Sequence, residues 1–267
     1  MKKQSTIMGK MTPLLSRRTF ISSTTAGSAM TALSLMSFSS LNSVSLLNKM
    51  PDPKTHPLNV PDDKKLLLGM VVFEGFQLLD TFGPLEMFGA LKDKVTILII
   101  GENAGTIKST AGPAVLVDYT FADVPKLDIV MIPGGAGTRR EVNNVSFVAE
   151  LKKLSEATPN VASICTGSAV LARTGLLDGL KATTNKRSYK WATSQGEKVV
   201  WVPQARWVED GKYFTSSGIS AGTDMALALI EKLFGKETAI KIANGAEYEW
   251  NRDPHHDPFA KLNGLVD

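Results

Sequence analysis

Val161-Ala162-Ser163-Ile164-Cys165-Thr166-Gly167-Ser168-Ala169-Val170-Leu171 reads as an apolar strand that turns sharply into a helix of small residues. A nucleophile-type side chain at such a turn is the pattern of a nucleophile elbow, here with sulfur in place of the usual serine oxygen. Ser163 and Gly167 stand two positions either side of Cys165, where a tight strand-to-helix turn tolerates little bulk. Cys165 is also the only cysteine of the chain. A thiol at a helix N-terminus meets unpaired backbone N–H groups and the positive end of the helix dipole, both of which favour the thiolate. The expectation is a reactive thiol; the plainer alternative is a buried structural one.

Other apolar runs bounded by Gly or Pro lie at Leu66–Phe73, Val95–Ile100 and Asp128–Ile132. Short continuous apolar strands that alternate with helical patterns argue for a parallel sheet covered on both faces. The helices expected between them are Pro84–Leu91, with proline at the first helical position, Phe147–Leu154, Thr166–Arg173 and Asp224–Phe234. Val199–Val202 and Arg206–Thr215 read as a strand pair with its hairpin turn at Asp210-Gly211. The class is α/β, a three-layer sandwich with a mainly parallel central sheet, and the site belongs at the carboxyl ends of the strands.

The first fifty residues contain no Asp or Glu. Ser16-Arg17-Arg18-Thr19-Phe20-Ile21, followed by a mildly apolar run from Ala26 to Phe38, resembles a twin-arginine export signal. Residues 1–45 are therefore expected to be a removable leader, 46–64 a Pro-rich linker, 65–250 the folded domain and 251–267 a C-terminal tail. The leader run is too interrupted by Ser and Thr for a stable membrane anchor, and the mature protein is expected to be periplasmic or otherwise exported. The first fifty residues hold 6 of the 30 basic residues and none of the 26 acidic ones, leaving 24 basic against 26 acidic, so the high pI of 9.0 belongs largely to them. That balance gives no basic footprint for nucleic acid. A single cysteine also forbids an intrachain disulfide.

Cys165 needs an acid–base partner, and the three histidines are His56 in the linker and His255 and His256 in the tail. A Cys–His dyad therefore lacks its second member, and a carboxyl group is the remaining candidate. Asp80 follows the first strand and so lies at the same end of the sheet as the elbow, where desolvation would raise its pKa. Its other reading is a helix cap, and Glu74 is the weaker alternative. Pro133-Gly134-Gly135-Ala136-Gly137 follows another strand, and the N–H groups of Gly134 and Gly135, with that of Thr166, are candidates for an anion hole. Tyr189, Trp191 and Trp207 are candidates for pocket walls or core. His255 and His256 between aspartates read as a solvated tail, and no metal or cofactor is expected.

Taken together, Leu78–Glu86, Ile132–Gly135, Ile164–Ser168 and Gly175–Thr184 resemble the ThiJ/PfpI superfamily of class I glutamine amidotransferase-like folds, in its isonitrile hydratase branch. The resemblance covers about Leu66 to Trp250 and implies a flavodoxin-like sheet and a homodimer. It also implies that Cys165 is the nucleophile, assisted by Asp80 and Thr166. Many relatives carry a histidine where this chain has Asn185, and Asn cannot serve as a base. Cys–His chemistries are thereby disfavoured. Isonitrile hydration, a hydro-lyase reaction in which a carboxyl group supplies the proton, is favoured. The competing reading is a non-enzymatic thiol sensor or ligand-binding protein in which Cys165 is oxidised reversibly.

Export is tested by changing both Arg17 and Arg18 to Lys and following the protein by cell fractionation. The variant is expected to stay in the cytoplasm, whereas undiminished export would exclude the twin-arginine route.

Overall fold

The apolar runs pair into one central sheet in a computed structural model that describes residues 64–267. The leader expected over 1–45 and all but the last residue of the expected linker lie outside the described residues. In chain order the elements begin β1 (Leu66–Val71), α1 (Leu78–Gly89), β2 (Val95–Gly101), β3 (Thr106–Lys108), β4 (Ala114–Leu116), β5 (Tyr119–Thr120) and β6 (Ile129–Ile132). There follow α2 (Thr138–Glu141), α3 (Val145–Ala157), β7 (Asn160–Ile164), α4 (Gly167–Arg173), β8 (Lys181–Ala182), α5 (Tyr189–Thr193) and β9 (Val200–Trp201). The chain closes with β10 (Trp207–Asp210), β11 (Tyr213–Ser216), α6 (Ala221–Phe234), α7 (Lys236–Gly245) and α8 (Pro258–Leu262).

The sheet runs β10-β11-β7-β6-β1-β2-β5, parallel throughout except for the β10/β11 hairpin at its edge. Every residue of β6 and β7 is buried, as strands covered on both faces must be. Helices α1 and α6 pack together on one face, with α7 against α6, while α2, α3 and α4 pack on the other. The three layers and the mainly parallel sheet are those expected. The order β2-β1-β6-β7-β11 reverses direction between β1 and β6, and that crevice is where doubly wound sheets place their sites.

Three expectations are corrected. Helix α1 begins at Leu78, so Pro84 lies inside it rather than at its first position. Pro84 has no N–H to give the carbonyl of Asp80 one turn back, yet the helix continues to Gly89. Of the segment 199–202, only Val200 and Trp201 form a strand, and it pairs with β8 rather than with the hairpin strand.

The third correction concerns residues 251–267, which are docked rather than free. The Arg206 N–H donates to the Pro254 carbonyl and the Asp257 N–H to that of Gln204, both at 2.8 Å. Asp257 caps α8 by accepting from the Phe259 N–H at 3.0 Å, Pro258 occupies the first helical turn, and Ala260 is fully buried. His255 and His256 are exposed.

The anchor of this segment is Asp224, buried in α6. Its Oδ2 accepts from Arg206 Nε at 2.7 Å, its Oδ1 accepts from the Tyr248 hydroxyl at 3.1 Å and the Asn251 N–H at 3.0 Å, and its carbonyl accepts from Trp250 Nε1 at 3.1 Å. A buried carboxylate is tolerated only when it is paired and hydrogen-bonded in this way. Arg206→Met removes the only cation bonded to Asp224 among the described residues and is expected to cost about 3–5 kcal/mol of stability. Denaturant unfolding at neutral pH measures this, and a loss below about 1 kcal/mol would show that the pair does not hold the segment.

Candidate active site

Cys165 has φ 57°, in the left-handed region that a residue with a side chain rarely occupies. Such a conformation costs about 1–3 kcal/mol and persists because its surroundings impose it. The Cys165 N–H reaches the carbonyls of Ser216 and Ser217 at 3.2 and 3.3 Å. Its carbonyl accepts from the hydroxyls of Ser168 at 2.9 Å and Thr184 at 3.0 Å. A Cβ on Gly167 would run into the carbonyl oxygens of Ile132 and Pro133, so the turn requires glycine there. The elbow read from the sequence is present.

Asp80 stands in the first turn of α1, and its side chain points back to the end of β6. Its residue exposure is 0% and that of Cys165 is 6%. Asp80 Oδ2 accepts from the Gly134 N–H at 2.8 Å, whereas the equally buried Oδ1 has no directed hydrogen-bond partner among the described residues. The thiol of Cys165 lies within hydrogen-bonding reach of the carboxyl. Burial raises the Asp80 pKa to about 7, and the Gly134 N–H and the thiol pull it only part of the way back. Burial first, and then the negative charge of Asp80, push the Cys165 thiol well above its ordinary range, against the Thr166 N–H and the Asn185 side chain, which favour the thiolate.

This corrects the thiolate expected from the helix N-terminus. Helix α4 is short and its first turn buried, so desolvation and a neighbouring carboxyl outweigh its N–H groups. The resting pair is a thiol beside a carboxyl whose pKa burial has raised to about 7.

The anion hole expected from Gly134 and Gly135 is not formed. The Gly134 N–H is spent on Asp80, and the Gly135 N–H on Thr166 Oγ1 at 3.1 Å. These glycines instead allow close approach, since a Cβ on Gly134 would lie 2.6 Å from the Thr166 N and 2.8 Å from Asp80 Oδ2. The Thr166 hydroxyl is engaged by Gly135 and, at 3.1 Å, by Thr138, so what it offers the sulfur is its backbone N–H.

Asn185 does join the site. Its Oδ1 accepts from the Ser188 N–H at 2.9 Å, which turns its amide N–H₂ toward the sulfur. A Cβ on Gly218 would stand 2.9 Å from Sγ, so this glycine closes the other side of the thiol. Glu74 is elsewhere: its carboxylate is exposed and accepts from the Lys108 N–H at 3.3 Å. Tyr189 lines a neighbouring hollow beside Lys186, and burial raises its hydroxyl pKa to about 12. Trp207 is buried in the core.

Thr138, Thr184 and Gly218 were not singled out from the sequence. Only Thr184, inside the Ala-Thr-Thr run, carried a signal by its place in the quoted motif. Among the described residues no group of three or more His, Cys, Asp or Glu is arranged to hold a metal ion.

The chain has relatives among known proteins. The DJ-1/PfpI family model matches residues 66–232. The chain belongs to the DJ-1/PfpI family. It is 33% identical to isonitrile hydratase of Pseudomonas putida over 183 residues, covering 68% of this chain and 78% of that protein. It is 30% identical to protein dj-1beta of Drosophila melanogaster over 161 residues, covering 59% of this chain and 84% of that one. Among solved structures, a ThiJ/PfpI family protein from Pseudomonas syringae superposes with a TM-score of 0.66 at 28% identity, covering 77% of this chain and 84% of the other.

The raised pKa of Asp80 sets a stability signature. Its folded value of about 7 lies above the unfolded value of 3.8, so the native state binds the extra proton between them. Its contribution to stability therefore falls as pH rises from about 4 to about 7 and is level above, by an amount on the order of a few kcal/mol. Asp80→Asn is expected to remove this slope, making the variant more stable than wild type at pH 8 relative to pH 5. Melting temperatures at the two pH values test this, and equal slopes in both proteins would exclude a raised pKa.

Proposed function

We propose that this protein hydrates isonitriles to N-substituted formamides through a thioimidate on Cys165, without a cofactor. The observation that carries the reading is a fully buried carboxyl group, held by the Gly134 N–H, lying against a buried thiol, where burial raises the pKa of both. Among the described residues the histidines are His255 and His256, both exposed, so no imidazole competes for the role. The similarity to isonitrile hydratase of Pseudomonas putida supports the same reading.

The terminal carbon of an isonitrile accepts both a proton and a nucleophile. Protonated Asp80 delivers its proton to that carbon as Sγ forms the C–S bond, and the thiol proton returns to the Asp80 carboxylate. The product is R–N=CH–S–Cys165, with no net charge gained or lost. Water then adds across the C=N bond as Asp80, now protonated again, gives its proton to nitrogen and takes one from the water. The C–S bond breaks, the sulfur regains a proton, and R–NH–CHO leaves. A proton carrier works best when its pKa lies near the working pH, as that of Asp80 does. The Thr166 N–H and the Asn185 amide face the sulfur and stabilise charge that develops on it. The substituent R is accommodated by a depression of about 570 Å³ lined by Asn185 and Gly218 with Leu79, Ile219 and Phe259.

The sensor reading fits less well. Peroxide reacts with thiolates, and both the burial and the raised pKa of Cys165 withhold that form. The test is incubation of the purified protein with cyclohexyl isonitrile and quantification of the formamide. Wild type is expected to produce it, Cys165→Ala to produce none, and Asp80→Asn to be slowed by at least about 10²-fold. An inactive wild type, or a Cys165→Ala protein as active as wild type, would refute the proposal.

A further inference from the structure

Next to the depression lined by Asn185 and Gly218 lies a second hollow, of about 360 Å³, and the two share Lys186, Arg187 and Asn263 in their walls. Each is within the range of small-molecule clefts, about 300–1,000 Å³. The second hollow is lined by four cations, Arg139, Lys186, Arg187 and Lys190, and by no acidic residue. This stands out in a domain whose charges otherwise nearly balance.

The four cations differ in how they are answered. Lys186 is buried, donates to Thr183 Oγ1 at 2.7 Å and the Ala205 carbonyl at 2.6 Å, and is supported by the charge of Asp257. No carboxylate among the described residues lies within ion-pair distance of Arg139, Arg187 or Lys190. Arg139 is nonetheless held in place, its guanidinium 4.2 Å from the Trp191 ring centroid and its Nη2 donating to the Ser188 hydroxyl at 3.3 Å. A guanidinium stacked on an aromatic ring with N–H groups to spare is pre-organised for an anion.

The hollow is also linked to the chemistry. Ser188, which accepts from Arg139, donates its backbone N–H to Asn185, and the amide of Asn185 faces the sulfur. We propose that the substrate is an acidic isonitrile, whose N-substituent ends in a carboxylate seated on Arg139 and Arg187 while its isonitrile carbon meets Cys165. The inference rests on the hydratase reading for the reacting group but not for the anion.

The test compares isocyanobutanoate with its methyl ester as substrates, in wild type and in Arg139→Gln/Arg187→Gln. The expected kcat/KM for the acid exceeds that for the ester by at least about tenfold, and the double variant loses at least about tenfold more on the acid than on the ester. An ester turned over as well as the acid, or a variant that slows both equally, overturns the proposal. Calorimetry with the product analogue formamidobutanoate and its methyl ester gives a readout that needs no turnover. If neither isonitrile reacts but the acid binds wild type at least about tenfold tighter than the ester, and loses that advantage in the double variant, the hydratase reading falls and the anion subsite stands. Equal binding of acid and ester overturns the subsite.

Discussion

The site depends on one costly contact, the carboxyl of Asp80 sealed from water against the thiol of Cys165. Neither group can ionise freely there, because burial penalises both and the charge of one opposes that of the other. What holds them together is the meeting of three strand ends at the switch point of the sheet. The chain leaving β1 brings Asp80, the chain leaving β6 brings the Gly134 N–H that binds it at 2.8 Å, and the chain leaving β7 brings the sulfur. Gly134 can have no side chain, since one would meet both Asp80 and Thr166. The left-handed backbone at Cys165 is the strain that results.

Much of this was legible in the sequence, for identifiable reasons. The strands were marked by apolar runs, and the elbow by small residues around Cys165. Asp80 followed from the absence of histidine in the core together with its position after the first strand. What sequence could not supply is the direction in which backbone groups point. Gly134 and Gly135 were read as donors to an anion, but their N–H groups are spent on Asp80 and Thr166. The ionisation of the thiol was misjudged for a related reason, as a helix N-terminus is visible in sequence and the depth of its burial is not.

Pro84 suggested a helix start because proline favours the first turn, yet packing of α1 against α6 sustains a helix through it. Asp257-Pro258 is itself a cap followed by a first-turn proline, and read as such it would have marked α8. Asn185 carried no cue beyond standing where relatives have histidine. Its amide is turned toward sulfur by a hydrogen bond to Ser188 that only the fold creates. The docked C-terminal segment matters for the same region, because Phe259 and Asn263 of this segment line the depression beside the thiol.

The chemistry of the site turns on the ionisation state of a single carboxyl group. Infrared difference spectroscopy of wild type minus Asp80→Asn, followed as a function of pH, isolates the carbonyl stretch of the protonated Asp80 carboxyl. If burial holds the Asp80 carboxyl as described, this band disappears with a midpoint near pH 7, after the exposed carboxylates have titrated. A midpoint in the ordinary carboxylate range, near 4, would contradict it.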